Sequence, residues 1–258
     1  MAKWLSESEK QFIEANYRIT SPSYISAVTH RDIHTIRRYI SKFSGVRHKH
    51  EPINFNEDLD DSIGEFMGVF AGDGCISHDK SGHYAIRIYL GPNESAYSRY
   101  VANQILDIFG KAPAIWFDAH SNVNIVKFYG RQAQNIIKKY LKFDKNKSHT
   151  VRLAGSISSY SVNFLRSFAR GLIATDGCVY HNKYTYRIIF GSTSKLLVTQ
   201  YKKILDIFSI PYSYYEGYTI KNPFFRVYVS GKKNLRLLKE KINLTESNKL
   251  NLLDSLLD

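Results

Sequence analysis

The sequence predicts an α+β protein. Its core is a pseudo-twofold repeat of αββαββα units with two antiparallel sheets, and a small all-α N-terminal domain precedes it. Three observations carry this. Residues 62–77 (SIGEFMGVFAGDGCIS) and 165–180 (LRSFARGLIATDGCVY) share one pattern, which aligns Gly68 with Gly171, Asp73 with Asp176 and Cys75 with Cys178 at a constant offset of 103. The word ILDIF recurs at 105–109 and 204–208. After each copy the hydrophobic period switches between about 3.6 and 2 in the same order. Two copies are too few for a solenoid, so a duplicated, twofold arrangement is the economical reading.

Thirty-six Lys and Arg against 23 Asp and Glu leave a net charge of +13, which points to a polyanionic partner. No apolar run approaches the roughly 18 residues of a membrane-spanning helix, so nucleic acid is favoured and no membrane partner is expected. The opening MAKWLSESEKQ has neither the apolar core nor the cleavage site of a secretory signal. An intracellular setting (cytoplasm, nucleoid or organelle matrix) follows as the expectation, not secretion. The two cysteines, at matched positions, read as small buried residues starting strands and not as a disulfide or zinc site.

In chain order, residues 1–50 form the helical domain. Ser6 and Glu9 make a capping box for a first helix. After Pro22 a short helix to about Val28, a turn at 29–31 and a helix over 32–43 fit the pattern. Ile33, Ile36, Ile40 and Phe43 fall on one face of that last helix, while His34, Arg37 and Arg38 fall on the opposite one. This resembles a helix-turn-helix DNA-binding domain, whose basic recognition helix enters the major groove. A linker over 45–59 follows, ending in Glu57, Asp58, Asp60 and Asp61.

The first repeat spans 60–145 and the second 158–258, with 142–159 read as a linker. Each opens on a helix; Ser62 and Glu65 suggest a second capping box. A hairpin follows, with its turn near Asp79–Gly82 in the first copy and near Asn182 in the second. Alternation sets Ile86, Ile88 and Leu90 opposite Arg87 and Tyr89, and Ile188 and Phe190 opposite Arg187 and Ile189. Helices over 94–110 and 193–208, strands near 114–118, 124–129, 212–217 and 224–230, and closing helices over 131–141 and 232–242 complete the two halves.

Gly64, Gly68 and Gly72 recur every four residues, as do Ser167, Gly171 and Thr175 at the matching positions. Glycine in a helix interior costs up to about 1 kcal/mol relative to alanine. Close approach of two backbones along these stripes would offset that. A parallel pair would bring Asp73 and Asp176 together at the strand edges. Two carboxylates sharing a site repel, and a hard divalent cation relieves them. An Asp-Gly pair at one helix end is an ordinary turn; the same pair twice, each after a small-residue stripe in a basic chain, is not.

FMGVFAGDG (66–74) and ARGLIATDG (169–177) resemble the two motifs of the single-chain LAGLIDADG homing endonucleases, and the element order of 60–245 is similar to that family's repeated half. The resemblance implies motif helices at the centre and two sheets forming a DNA-binding saddle. It implies catalytic, metal-binding roles for Asp73 and Asp176 with Mg²⁺ or Mn²⁺, each acid serving one strand, and the carbonyls of Gly72 and Thr175 as further ligands. The sixth motif position, often acidic in the family, is Ala71 and Ala174 here. Arg87, Lys127, Arg187 and Arg226 are expected to face DNA, with Arg87 matched to Arg187 and Lys127 to Arg226 across the repeats.

The expected activity is a monomeric, site-specific double-strand endonuclease with a long target, leaving 3′ overhangs. The alternatives are a DNA-binding regulator or an intron RNA maturase on the same scaffold, the latter with host intron RNA as partner.

Overall fold

A computed structural model describes residues 5–17, 20, 22–44, 53–78, 84–182, 184–218, 222–244 and 248–257. The chain divides into two compact units, residues 1–52 and 53–258.

In the first unit α1 (Glu7–Asn16), α2 (Pro22–Thr29) and α3 (Ile33–Ser44) enclose a small core of Ile13, Ile25, Ile36 and Ile40. Ser6 and Glu9 form both halves of the α1 capping box, and the Glu9 carboxylate also takes a 2.6 Å hydrogen bond from Arg31 Nε, tying α1 to the turn before α3. His34, Arg37 and Arg38 are exposed on α3. Phe43 is largely exposed, stacking on Tyr39 and meeting Tyr17 edge-on instead of entering the core.

The second unit holds both repeats on one continuous hydrophobic core. The first repeat runs α4 (Asp60–Asp73), β1 (Gly74–His78), β2 (Tyr84–Leu90), α5 (Ser95–Phe109), β3 (Ala114–Asp118), β4 (Val123–Tyr129) and α6 (Arg131–Tyr140). A short antiparallel pair, β5 (Leu141–Lys142) and β6 (Arg152–Leu153), flanks the four-residue α7 (Lys147–Thr150). The second repeat runs α8 (Val162–Asp176), β7 (Gly177–Asn182), β8 (Thr185–Ser192), α9 (Lys195–Ile207), β9 (Ser213–Tyr218), β10 (Pro223–Ser230) and α10 (Lys232–Ile242), and α11 (Asn248–Leu257) follows. The sheets have orders β1-β2-β4-β3 and β7-β8-β10-β9, all antiparallel. This is the predicted α+β, twice-repeated architecture. The turn expected near Asp79–Gly82 lies outside the described residues.

The connection between repeats differs from a plain linker, because β5, α7 and β6 give it structure. The Ser62–Glu65 capping box does not form either. α4 begins at Asp60 without a side-chain cap, and Glu65 is wholly buried. Its Oε2 accepts from Arg170 Nε at 2.9 Å, Tyr100 Oη at 2.8 Å and Gln104 Nε2 at 3.0 Å. Arg170, on α8, also donates to Asp61 at 2.5 Å. Burial of a charge is tolerable only with such partners, so the tertiary requirement overrode the local capping option.

Candidate functional site

The site grows from the pairing of α4 with α8. The two helices run parallel with backbones in contact: a Cβ added at Gly68 would collide with the Phe168 carbonyl and stand 3.0 Å from Gly171 Cα. One added at Gly171 would collide with the Glu65 carbonyl and stand 2.7 Å from Val69 N. The small-residue stripes are therefore the contact itself, with Gly64 facing Ser167 and Gly72 facing Thr175.

Both helices pass into strands without a loop. Asp73 and Asp176 are the last helical residues, and Gly74 and Gly177 open β1 and β7. A Cβ at Gly74 would press on Phe70, and one at Gly177 on the Ile173 carbonyl. Asp-Gly at this junction is thus set by space as well as by turn preference. The Asp176 carboxylate lies beside the other helix, where a Cβ on Gly72 would stand 3.2 Å from its Oδ2.

The electrostatics are unfavourable for two anions. Both sit at the negative end of a helix dipole, and burial raises both carboxyls. Asp73 is pushed up to about 7 by burial and then by the charge of Asp176, and Asp176 is raised mainly by burial. Two lysines offset this. Lys147 Nζ donates to the carbonyls of Phe70, Ala71 and Gly72 at 2.8, 2.8 and 2.7 Å, closing the end of α4. Lys249 Nζ does the same for α8, donating to Ala174 and Thr175 at 2.6 Å each and to Ile173 at 3.4 Å. Burial lowers both ammoniums against the pull of the carboxylates, Lys147 to about 8.

Sequence reasoning missed these lysines. Each follows an asparagine after the closing helix of its half, Asn146-Lys147 and Asn248-Lys249; extending the repeat comparison past 145 and 245 would have found them. The cysteines differ from expectation too. Cys178 is exposed and Cys75 half-buried, and both are the second strand residue, across from Ile189 and Arg87 on the open sheet faces.

Of the expected basic residues, Arg87 and Lys127 are cross-strand neighbours on the first sheet. Arg87 donates to Ser77 Oγ, and Lys127 Nζ lies 4.6 Å from the Tyr129 ring centre. Arg226 stacks 4.7 Å from Phe224 and lines a cavity of about 580 Å³ that also includes Asp176 and Gly72. Arg187 lies between the rings of Tyr180 and Tyr228, 6.0 and 5.8 Å from their centres. The expected matching of these residues fails. Gly74 pairs with Ile88 and Gly177 with Phe190, so Arg87 corresponds to Ile189 and Arg187 to Ala85. By the same ladders Lys127 corresponds to Tyr228 and Arg226 to Ile125. His34, Arg37 and Arg38 belong to the other unit.

The donor set suits a hard divalent cation. Two crowded carboxylates gain from a cation between them, and each lysine-bound carbonyl keeps a second lone pair. Among the described residues no group of three or more His, Cys, Asp or Glu is placed to hold a metal. A bound ion would therefore draw the rest of its shell from Gly72 and Thr175 carbonyls, water and ligand oxygens.

Comparison with known proteins places this geometry. Residues 163–243 match the family described as LAGLIDADG-like domain. A mesophilic variant of the homing endonuclease I-DmoI superposes with a TM-score of 0.55 over 73% of this chain and 99% of its own, at 11% identity. I-DmoI in complex with DNA and Ca gives 0.54 over 75% and 93%, also at 11% identity. Full-length DUF199/WhiA from Thermatoga maritima gives 0.51 over 76% and 59%, at 19% identity. A search of curated protein sequences finds no significant match. Residues 163–243 thus carry a LAGLIDADG-like domain, and the chain shares the fold of these solved structures. It carries the two motif helices, α4 and α8, in one polypeptide.

Proposed function

We infer that the protein is a site-specific double-strand DNA endonuclease that hydrolyses phosphodiesters with Mg²⁺ or Mn²⁺. The observation that carries this reading is the pair Asp73 and Asp176, one at the end of each motif helix, with both carboxyls raised by desolvation and the helix ends closed by Lys147 and Lys249. A DNA-binding scaffold has no use for two crowded carboxylates facing phosphates, since they weaken anion binding.

Asp73, Asp176 and the carbonyls of Gly72 and Thr175 would hold the metal, which supplies charge to stabilise the attacking and leaving oxygens of the phosphodiester. The chain's own groups do the rest. Lys147 and Lys249 keep the helix ends closed and hold the carbonyl oxygens in place. With all three of its protons donated to the Phe70, Ala71 and Gly72 carbonyls, Lys147 is suited to hold those oxygens and to offset the charge of the two acids. Arg226 reaches into the cavity beside Asp176 and would bind a phosphate there, while Arg87, Lys127 and Arg187 line the open sheet faces for base or backbone contact. The helical unit would add contacts through His34, Arg37 and Arg38. Both acids reside in one chain, so a monomer suffices.

Incubating the purified protein with Mn²⁺ or Mg²⁺ and a plasmid library of randomised inserts, then sequencing the ends, tests this. Short 3′ overhangs at one recurrent sequence are expected, with Asp73→Asn and Asp176→Asn each restricting or abolishing cleavage while DNA binding persists. Full cleavage by the double variant would refute the assignment. A second reading, DNA binding without cleavage, is favoured by the two lysines, whose charges already balance the two acids; tight binding with no product on any sequence would select it.

A further inference from the structure

The two acids differ in what lies beside them. β7, the strand leading away from Asp176, is packed against α11, and the space among Lys249, Leu250, Val179 and Ile188 amounts to about 10 Å³, room for about one water. β1, leading away from Asp73, is likewise the edge strand of its sheet, but the four-residue α7 faces it across open space. There a cavity of about 880 Å³ opens along Gly74 and Cys75, walled by Lys138 from α6 and by Lys145, Lys147 and His149 from the connection. Lys138, Lys145 and His149 are exposed to solvent, and Asp144 is the carboxylate among the lining residues.

We propose that this cleft is a phosphodiester-binding site, which holds the backbone of the DNA strand running past Asp73 beyond the edge of the first sheet. Its size is in the range of ligand sites and not of packing defects. Its charge suits phosphate: three ammonium groups and an imidazole against one carboxylate, in a recess where counterions released on binding strengthen association. Its position fixes the partner, because the cleft starts at Gly74, the residue after Asp73, and shares Lys147 with the acid site. A strand engaged at Asp73 meets these cations directly. In the Asp176 half α11 fills the equivalent space, and the cavity of about 580 Å³ that reaches Asp176 lies on the open sheet face beside Arg226. The protein therefore holds the two halves of its target by different contacts.

This rests on the reading of the unit as a DNA-binding one, and the test separates the two. A fluorescein-labelled duplex of arbitrary sequence is titrated with the full chain over a range of KCl, without divalent ions. Wild type should show a steep negative slope of log affinity against log salt. Lys138→Gln combined with Lys145→Gln should reduce that slope by about 2, at about 0.9 for each phosphate that is no longer neutralised. Lys232→Gln with Lys233→Gln, on α10 away from the cleft, should leave it unchanged. An unchanged slope in the cleft variant, or an equal fall in the α10 variant, overturns the cleft alone. Weaker binding confined to a folded RNA probe, with duplex binding intact, overturns it as well. A wild-type protein whose affinity for duplex ignores salt sinks both the cleft and the DNA reading.

Discussion

At the scale of single residues, the acid pair makes the protein pH-sensitive in a defined direction. The Asp73 carboxyl rises from an ordinary value near 3.8 to about 7, so the folded state binds more protons than the unfolded one between those values. Metal-free stability should be greatest at the acid end of that window and fall as pH rises from about 4 to about 7. Asp73→Asn should flatten the fall and raise neutral-pH stability by about 1–3 kcal/mol, the scale of a poorly compensated buried polar group. Thermal unfolding at several pH values in chelator checks this, and a steeper fall in the variant would refute it. Lys147→Met removes three hydrogen bonds to the end of α4 and leaves the acids with one fewer cation. It should cost about 1–3 kcal/mol and suppress product formation far more than DNA binding, read by gel shift beside a cleavage assay.

At the scale of elements, the helix pair puts the packing to the test. Gly68→Ala would gain up to about 1 kcal/mol of helix propensity, yet its methyl would meet the Phe168 carbonyl and Gly171 Cα. Backbone cannot move aside as a side chain tip can. The variant should lose about 2–4 kcal/mol, the range of severe overpacking, measured by urea unfolding; a more stable variant would mean the helices are not in contact there. This pairing was legible in the sequence because the four-residue spacing of small side chains has one steric meaning. The inward faces of β2 and β8 were legible for a similar reason, since Ile86, Ile88 and Leu90, and Ile188 and Phe190, fall on alternate positions and are buried. The correspondence of the arginines was not. Register is set by strand pairing, and the hairpins differ in length: the β1–β2 connection spans residues 79–83, the β7–β8 connection 183–184. Similar words, RIYL and RIIF, therefore land out of step by two positions. Lys147 and Lys249 carry no periodic signal, and their one trace in the sequence is the Asn-Lys pair that follows each closing helix. Only the fold brings each to a helix end, at the Gly72 and Thr175 carbonyls, 75 and 74 residues back along the chain.

At the scale of the whole molecule, the chain divides into two compact units. The second unit has a continuous core through both repeats and contains both acids, so removing residues 1–52 should leave a folded, cleaving protein. If His34, Arg37 and Arg38 contact DNA, that deletion should reduce affinity and shrink the footprint on the target without moving the cut positions, as footprinting and end sequencing would show. A deletion that shifts the cuts would place the first unit inside the recognition of the scissile bonds. The buried ion pair between the halves adds its own requirement. Glu65→Met alone leaves the buried Arg170 with the exposed Asp61 as its carboxylate partner and should cost about 3 kcal/mol; Glu65→Met with Arg170→Met should recover much of that loss, as a double-mutant cycle would measure.

That pair also says something about history. At the 103-residue offset the counterpart of Glu65 is Phe168, and that of Arg170 is Met67. Two copies of the first half would confront a buried carboxylate with methionine, twice over; two copies of the second would confront a guanidinium with phenylalanine. An ancestor built from identical halves could not have used either residue. Once the fused halves were free to diverge, a charge on one side became tolerable only through the opposite charge on the other, and each now forbids the other's return. As they stand the halves are not interchangeable: neither could pair with a second copy of itself and keep this contact.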